Sequence, residues 1–194
     1  MRIGKIERTT KETDIQLEIN LDGSGVYEID TGIPFFNHML DLFSKHSLMD
    51  VHLKAKGDID VDYHHTVEDV GLALGKALDD ALGDRIGITR YGSSLLPMDE
   101  ALSRVAIDLG GRPFLVYEMA MQERKILDFD LWLFKHFFES FSQQGRMNLH
   151  IHQLYGDDAH HAYESVFKGV ARALRAAIAT DPRQKDVPSS KGTI

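Results

Sequence analysis

Two stretches of this chain, read one beneath the other, decide its fold: FNHMLDLFSKHSLMDVHLKAKGDIDVDYHHTVEDVGLALGKALDDAL at 36–82 and FKHFFESFSQQGRMNLHIHQLYGDDAHHAYESVFKGVARALRAAI at 134–178. His38 matches His136, Phe43 matches Phe141, Ser44 matches Ser142 and His52 matches His150, all at a spacing of 98. Past a loop that is two residues shorter, His64, His65, Glu68, Val70 and Leu78 match His160, His161, Glu164, Val166 and Leu174 at a spacing of 96. Upstream, Glu12 with Ile15, Leu17, Ile19 and Leu21 resembles Glu100 with Ser103, Val105, Ile107 and Leu109. A turn follows each, Asp22-Gly23 and Gly110-Gly111. A lone HHxxE arises by chance. Two copies inside one long register point to a tandem duplication of a unit of roughly 90 residues. The boundary falls near Asp84–Gly87, giving repeat units 1–85 and 86–180 within one compact domain, and a tail at 181–194.

Periodicity reads the elements within each unit. Residues 15–21, IQLEINL, alternate apolar and polar as a half-buried strand does. Val51–Ala55, Arg104–Leu109, Phe114–Glu118 and Met147–Gln153 read as strands too. Val67, Val70, Leu74, Leu78 and Ala81 recur at helical spacing, and so do Tyr163, Val166, Val170, Leu174 and Ala177. A further helix follows Pro34, with a partner over about Leu131–Ser142. Strands and helices with one-sided patterns predict an α+β fold of mixed or antiparallel sheets, each covered by helices on one face. The tail, TDPRQKDVPSSKGTI from 180, reads as an extended or mobile end.

Composition narrows the function classes. The chain has 194 residues and no cysteine, which excludes disulfides, thiolate nucleophiles and sulfur-ligated metal sites. Its net charge of −8 argues against non-specific nucleic-acid or anionic-membrane binding. No apolar run approaches a membrane span and the first residues lack a signal-peptide core, so a cytoplasmic protein is expected.

The ten histidines carry the chemistry. His46 reads as a surface residue, and His52 and His150 as lining the helix-free faces of their sheets. On a helix, the two adjacent histidines of HHxxE diverge by about 100° and do not easily chelate one ion. The glutamate shares a face with one of them. The economical solution is two metals related by a pseudo-twofold axis. Each takes a His–Glu pair from one unit, a His from the other, and either His38 or His136. Ligands with nitrogen and oxygen but no sulfur suit Mn²⁺, Fe²⁺ or Zn²⁺, and open positions suit catalysis.

At this point the residues resemble the imidazoleglycerol-phosphate dehydratase family of histidine biosynthesis. The likeness runs end to end through RTTKET (8–13), GIPFFNHML (32–40), DYHHTVED (62–69), IDLGGRP (107–113), KHFFESF (135–141), NLHIHQLYG (148–156), DAHHAYESVFK (158–168) and SSKG (189–192). It implies a duplicated unit like the second domain of ribosomal protein S5. It also implies conversion of D-erythro-imidazoleglycerol phosphate to imidazoleacetol phosphate and water, with two Mn²⁺ per active site. The metal ligands implied are His38, His64, His65, Glu68, His136, His160, His161 and Glu164. Glu12 is implied as the catalytic acid/base. Arg90, Arg112, Lys168, Ser190, Lys191 and Gly192 are implied to contact substrate, with Glu12, His38, His64, His65, Glu68, His160 and His161 also lining its site. A large 24-subunit homo-oligomer with sites between chains is implied as well, the tail closing over the substrate. A metal pair holding the substrate's ring as imidazolate would help a reaction whose departing hydrogen has no carbonyl beside it. The rival readings are a dinuclear metallohydrolase acting on a phosphorylated small molecule and a non-enzymatic metal buffer. A metallohydrolase typically bridges its ions with a carboxylate. Here the glutamates sit on separate helices, and a buffer would leave the arginines without purpose.

Overall fold

A computed structural model of the chain describes residues 1–194. Both halves build the same six elements in the same order. In the first, β1 (Ile3–Thr9), β2 (Thr13–Asn20) and β3 (Tyr27–Asp30) lead to α1 (Pro34–Ser47), β4 (Asp50–Gly57) and α2 (His64–Leu82). In the second, β5 (Tyr91–Met98), β6 (Ala101–Asp108) and β7 (Phe114–Met119) come first. A small hairpin of β8 (Lys125–Ile126) and β9 (Phe129–Asp130) follows, then α3 (Leu133–Gln144), β10 (Asn148–Tyr155) and α4 (Ala159–Ile178). The sheets have matching strand orders, β1-β2-β4-β3 and β5-β6-β10-β7. In each, the strand between the two helices runs antiparallel to its second-strand neighbour and parallel to its third. This is the duplicated α+β unit that the repeat predicts.

The helices share one face of each sheet because apolar residues alternate only toward that side, as in β2, where Ile15, Leu17 and Ile19 are buried. α2 lies on β1 and β2, and α4 on β5 and β6. Facing inward, α2 also packs on α3 and α1 on α4, so the helices form a layer between the two sheets. Phenylalanines join the halves: the rings of Phe36 and Phe137 lie 5.4 Å apart, and those of Phe43 and Phe141 5.9 Å apart. One continuous apolar core therefore spans both repeats. The same contacts set helix direction. Phe35 meets His160, and His64 meets His136, so all four helix N-termini gather at one end of the molecule.

The edge strands β1 and β5 are absent from the periodicity reading, and a glycine in each explains their close seat. A Cβ on Gly4 would fall 2.0 Å from the Ala77 carbonyl oxygen, and one on Gly92 1.9 Å from that of Ala173. The two glycines and the two alanines occupy matching repeat positions. The link between repeats is held by Arg85, 2% exposed. Its guanidinium donates to the carbonyls of Leu109 at 2.7 Å, Arg146 at 3.1 Å and Gly145 at 2.9 Å, and to the Asp79 carboxylate at 2.5 Å. The tail folds back over this region: Gly87 N–H donates to the Asp186 carbonyl and Arg90 Nη1 to that of Pro188.

Candidate active site

The N-terminal end of the helix layer collects the histidines. His160 and Glu164 stand one turn apart on α4, and His38 reaches them from α1 of the other repeat. The Nε2 atoms of His38 and His160 lie 2.9 and 3.0 Å from Glu164 Oε1 and 3.3 Å from each other. These three offer ligand atoms all within 4.8 Å of one another. Burial pushes the Glu164 carboxyl up, but Lys168, donating at 2.5 Å, and the two imidazoles hold it down at about 2. It is therefore a carboxylate at any physiological pH.

The matching set is looser. His64 Nε2 lies 3.1 Å from Glu68 Oε2, and the His64 ring is 4.6 Å from that of His136 on α3. Trp132 stands edge-on to His136, the centroids 3.9 Å apart. His136 Nε2 is buried and has no hydrogen-bond partner, and burial pushes its pKa down. A buried neutral nitrogen without a partner is a vacant ligand atom. In both sets the first histidine of HHxxE shares the glutamate's face, and the pair comes from one repeat and the third residue from the other.

The second histidines turn away, as helical geometry requires: the His64 and His65 rings are 6.2 Å apart. His65 Nδ1 lies 3.0 Å from Asp58, and His161 Nδ1 lies 2.8 Å from Glu100. Those hydrogen bonds push both histidines' pKa values up. A carboxylate on Nδ1 fixes the tautomer and leaves Nε2 outward for a metal. The nitrogen and carboxylate donors, the partnerless His136 Nε2 and these oriented rings together fit a divalent cation. Asp58 carried no signal in the sequence; Glu100 did, through its match to Glu12. Glu12 sits beside His65, its carboxylate 3.9 Å from Nε2. His46 is half-buried rather than fully exposed, in a groove shared with Arg172.

At the other end, Arg90, Arg112, Ser190 and Lys191 line one cleft of about 330 Å³ with Gly110 and Gly111, and Gly192 lies in the same tail segment. Arg90 is engaged there, its guanidinium on Asp108 at 2.6 and 3.1 Å, whereas Arg112 is exposed. Lys168 does not join this cleft. Its ammonium is on Glu164 and beside Met98 Sδ.

Comparison with known proteins gives this arrangement its family. The imidazoleglycerol-phosphate dehydratase family model matches residues 31–174, a span holding both histidine sets. The chain is 54% identical over 195 aligned residues to the imidazoleglycerol-phosphate dehydratase of Nitrobacter hamburgensis, covering 100% of this chain and 99% of that one. The chain belongs to the imidazoleglycerol-phosphate dehydratase family. It is accordingly an enzyme, a dehydratase and hence a lyase of histidine biosynthesis. The dehydratase of Dinoroseobacter shibae is 53% identical over the full length of both chains. Among solved structures, the imidazoleglycerol-phosphate dehydratase of Staphylococcus aureus superposes with a TM-score of 0.84 at 35% identity, over 92% of this chain and 99% of that one. The one from Pyrococcus furiosus, solved in complex with (S)-C348, gives 0.85 at 35% identity, over 97% and 100%. This membership sets aside the hydrolase and metal-buffer readings. No helix is long and apolar enough to cross a membrane.

Proposed function

We propose that the enzyme converts D-erythro-imidazoleglycerol phosphate to imidazoleacetol phosphate and water in the cytoplasm, at sites holding two Mn²⁺ and shared between chains of a large homo-oligomer. The observation that carries the metal reading is the convergence of His38, His160 and Glu164 across the two repeats. One ion is held by these three and the other by His136, His64 and Glu68. The second histidines, His65 and His161, complete the sets of neighbouring copies. Bound there, Mn²⁺ supplies Lewis acidity toward the ring nitrogens and a hydroxyl of the substrate.

The protein's own groups do the rest. The hydroxyl leaves from the carbon beside the ring and the hydrogen from the next carbon. Glu12, whose carboxylate accepts no hydrogen bond and has His65 at 3.9 Å, moves the proton from that carbon to the departing hydroxyl, which leaves as water. The enol that remains tautomerises to the ketone. Arg112 and Lys191, with Ser190 and the Gly192 segment, hold the phosphate, Arg by its bidentate fork and Lys as a point charge. Arg90 shapes that cleft, and Lys168 keeps Glu164 charged while lying toward the substrate.

A length supports the sharing between chains. Arg90 N–H bonds the Ala177 carbonyl at the C-terminal end of α4. At 1.5 Å per residue, the 17 residues back to His160 measure about 25 Å. An imidazole carrying a three-carbon phosphate is far shorter, so ring and phosphate cannot be held by one copy. The family likeness implies 24 subunits.

The experiment is formation of imidazoleacetol phosphate from imidazoleglycerol phosphate by the Mn²⁺-loaded protein, with metal analysis of His160→Ala. Turnover by the parent and loss of both turnover and bound Mn²⁺ in the variant are expected. Full turnover and full metal in His160→Ala would refute the metal assignment.

A further inference from the structure

Glu12 has an acid/base assignment but no side-chain hydrogen bond. Its position therefore comes from its backbone. It stands in the turn between β1 and β2. Its N–H donates to Thr10 Oγ1 at 3.1 Å and its carbonyl accepts from Asp58 N–H at 3.1 Å. Thr13 closes the turn: its N–H donates to the same Thr10 oxygen, and Thr10 N–H donates to the Thr13 carbonyl. Asp58, whose carboxylate holds His65 Nδ1, gives this turn one link to α2.

Asp69 makes a second, through the strands on either side of the turn. It follows Glu68 on α2, is 8% exposed, and its Oδ2 accepts from Thr13 Oγ1 and from Arg8 Nη1, both at 2.5 Å. Thr13 is 3% exposed and begins β2; Arg8 is near the end of β1. One carboxylate thus grips the strands on both sides of the turn. Both bonds are charge-assisted, and the one from Thr13 is buried, which strengthens it over a surface contact; the Arg8 side chain is partly exposed.

The second repeat supplies the contrast. Leu96, Ala101 and Ser165 occupy the places of Arg8, Thr13 and Asp69, so there is no carboxylate grip. Ser165 bonds Ser103 and the Ala162 carbonyl instead. There the side chain of Glu100 is itself fixed, by the Asp158 N–H at 3.0 Å and by His161. Where the acid is tied by its own oxygens, the backbone grip is missing. Where the acid is free, the grip is present.

We propose that Asp69, acting through Thr13 and Arg8, is a positioning residue that holds the Glu12 turn against α2 beside the metal-binding histidines. It lets Glu12 keep an unbonded carboxylate in a fixed place. This rests on the reading of Glu12 as the acid/base.

The test uses the assembled, Mn²⁺-loaded enzyme. Asp69→Asn and Thr13→Val keep shape while removing the charge or the hydroxyl. Each is expected to lower kcat by up to about 100-fold, the size of effect that a misplacement near 1 Å produces. KM, bound Mn²⁺ and assembly mass should stay as in the parent. Thr13→Ser restores the hydroxyl and should restore kcat. In a Glu12→Gln background, Asp69→Asn and Thr13→Val should cost nothing further. Parental kcat in both Asp69→Asn and Thr13→Val, with Glu12→Gln impaired, overturns the positioning role and leaves the Glu12 reading standing. A further loss of equal size in the Glu12→Gln background overturns it as well, since Asp69 would then act independently. Parental activity in Glu12→Gln overturns both.

Discussion

The acids that open the two repeats, Glu12 and Glu100, occupy matching places and have met different fates. Glu100 is bound on both oxygens, and His161, then the Asp158 N–H, hold its carboxyl down at about 2. Glu12 has only His65 at 3.9 Å. A carboxylate so far below neutral pH is a poor partner for proton transfer, and a good device for orienting a ring. A duplicated unit gives two copies of each group. Here the copy at Glu100 is paired and the copy at Glu12 is not, while both repeats carry the HHxxE histidines.

The sharpest way to break this contrast is to neutralise each acid in turn. Glu12→Gln should lower kcat by about 10²–10⁴-fold with metal content unchanged. Glu100→Gln should instead weaken metal binding by about 10–100-fold, and excess Mn²⁺ should recover its activity. Steady-state kinetics with and without added Mn²⁺ reads both, and identical behaviour of the two variants would erase the distinction. Next in size is the link that makes two repeats one body. Arg85→Met leaves Asp79 with Arg146 alone, at 3.7 Å, and strands three carbonyls, and should cost about 3–5 kcal/mol in urea unfolding, with a single transition retained. Two separate transitions would mean that the halves fold apart.

A third contrast lies in the cleft at Arg112, which only the second repeat and the tail build. Arg112→Ala should lower kcat/KM by about 10–150-fold through loss of about 1.5–3 kcal/mol, mostly in KM, with Mn²⁺ retained. An unchanged value removes Arg112 from the site. The smallest effect compares Asp50 with its match, Asn148. Burial pushes the Asp50 carboxyl up, but the N–H groups of Ser24 and Val26, at 2.8 and 2.9 Å, hold it below the ordinary carboxylate range. Asn148 is neutral and donates to the Arg112 carbonyl. Because the folded pKa lies below the unfolded one, the stabilisation from Asp50 is whole above the model-peptide value near 3.8 and is lost as pH falls through the folded value. Asp50→Asn should therefore unfold more easily at pH 7 and lose less than the parent between pH 5 and 3. Parallel losses in urea midpoints would show that Asp50 plays no part.

The sequence made the duplication, the central strands and the four helices legible, because apolar spacing reports burial against a layer. Its helix over Leu131–Ser142 lies at Leu133–Gln144, since the β8–β9 hairpin runs through Asp130. Edge strands β1 and β5 were invisible: a strand that covers little carries little alternation, and its seat depends on Gly4 and Gly92 meeting helix carbonyls. The histidines were legible because their spacing repeats. Asp58, Asp69 and the staple at Arg85 were not, since none has a repeat partner of its own kind and their partners follow no sequence period: His65 for Asp58, Arg8 and Thr13 for Asp69, and Asp79 with three carbonyls for Arg85. Which histidine of each pair shares the glutamate was open until α2 and α4 were in place.

The length of α4 has a genetic consequence. If ring-binding and phosphate-binding groups of one copy never serve the same substrate, a subunit is a donor of two half-sites to different neighbours. Two inactive alleles, one carrying His160→Ala and the other Arg112→Ala, should then complement when co-expressed. Some sites in the mixed assembly would draw an intact metal end from one allele and an intact anion cleft from the other. The defect of each allele would be recessive within the particle.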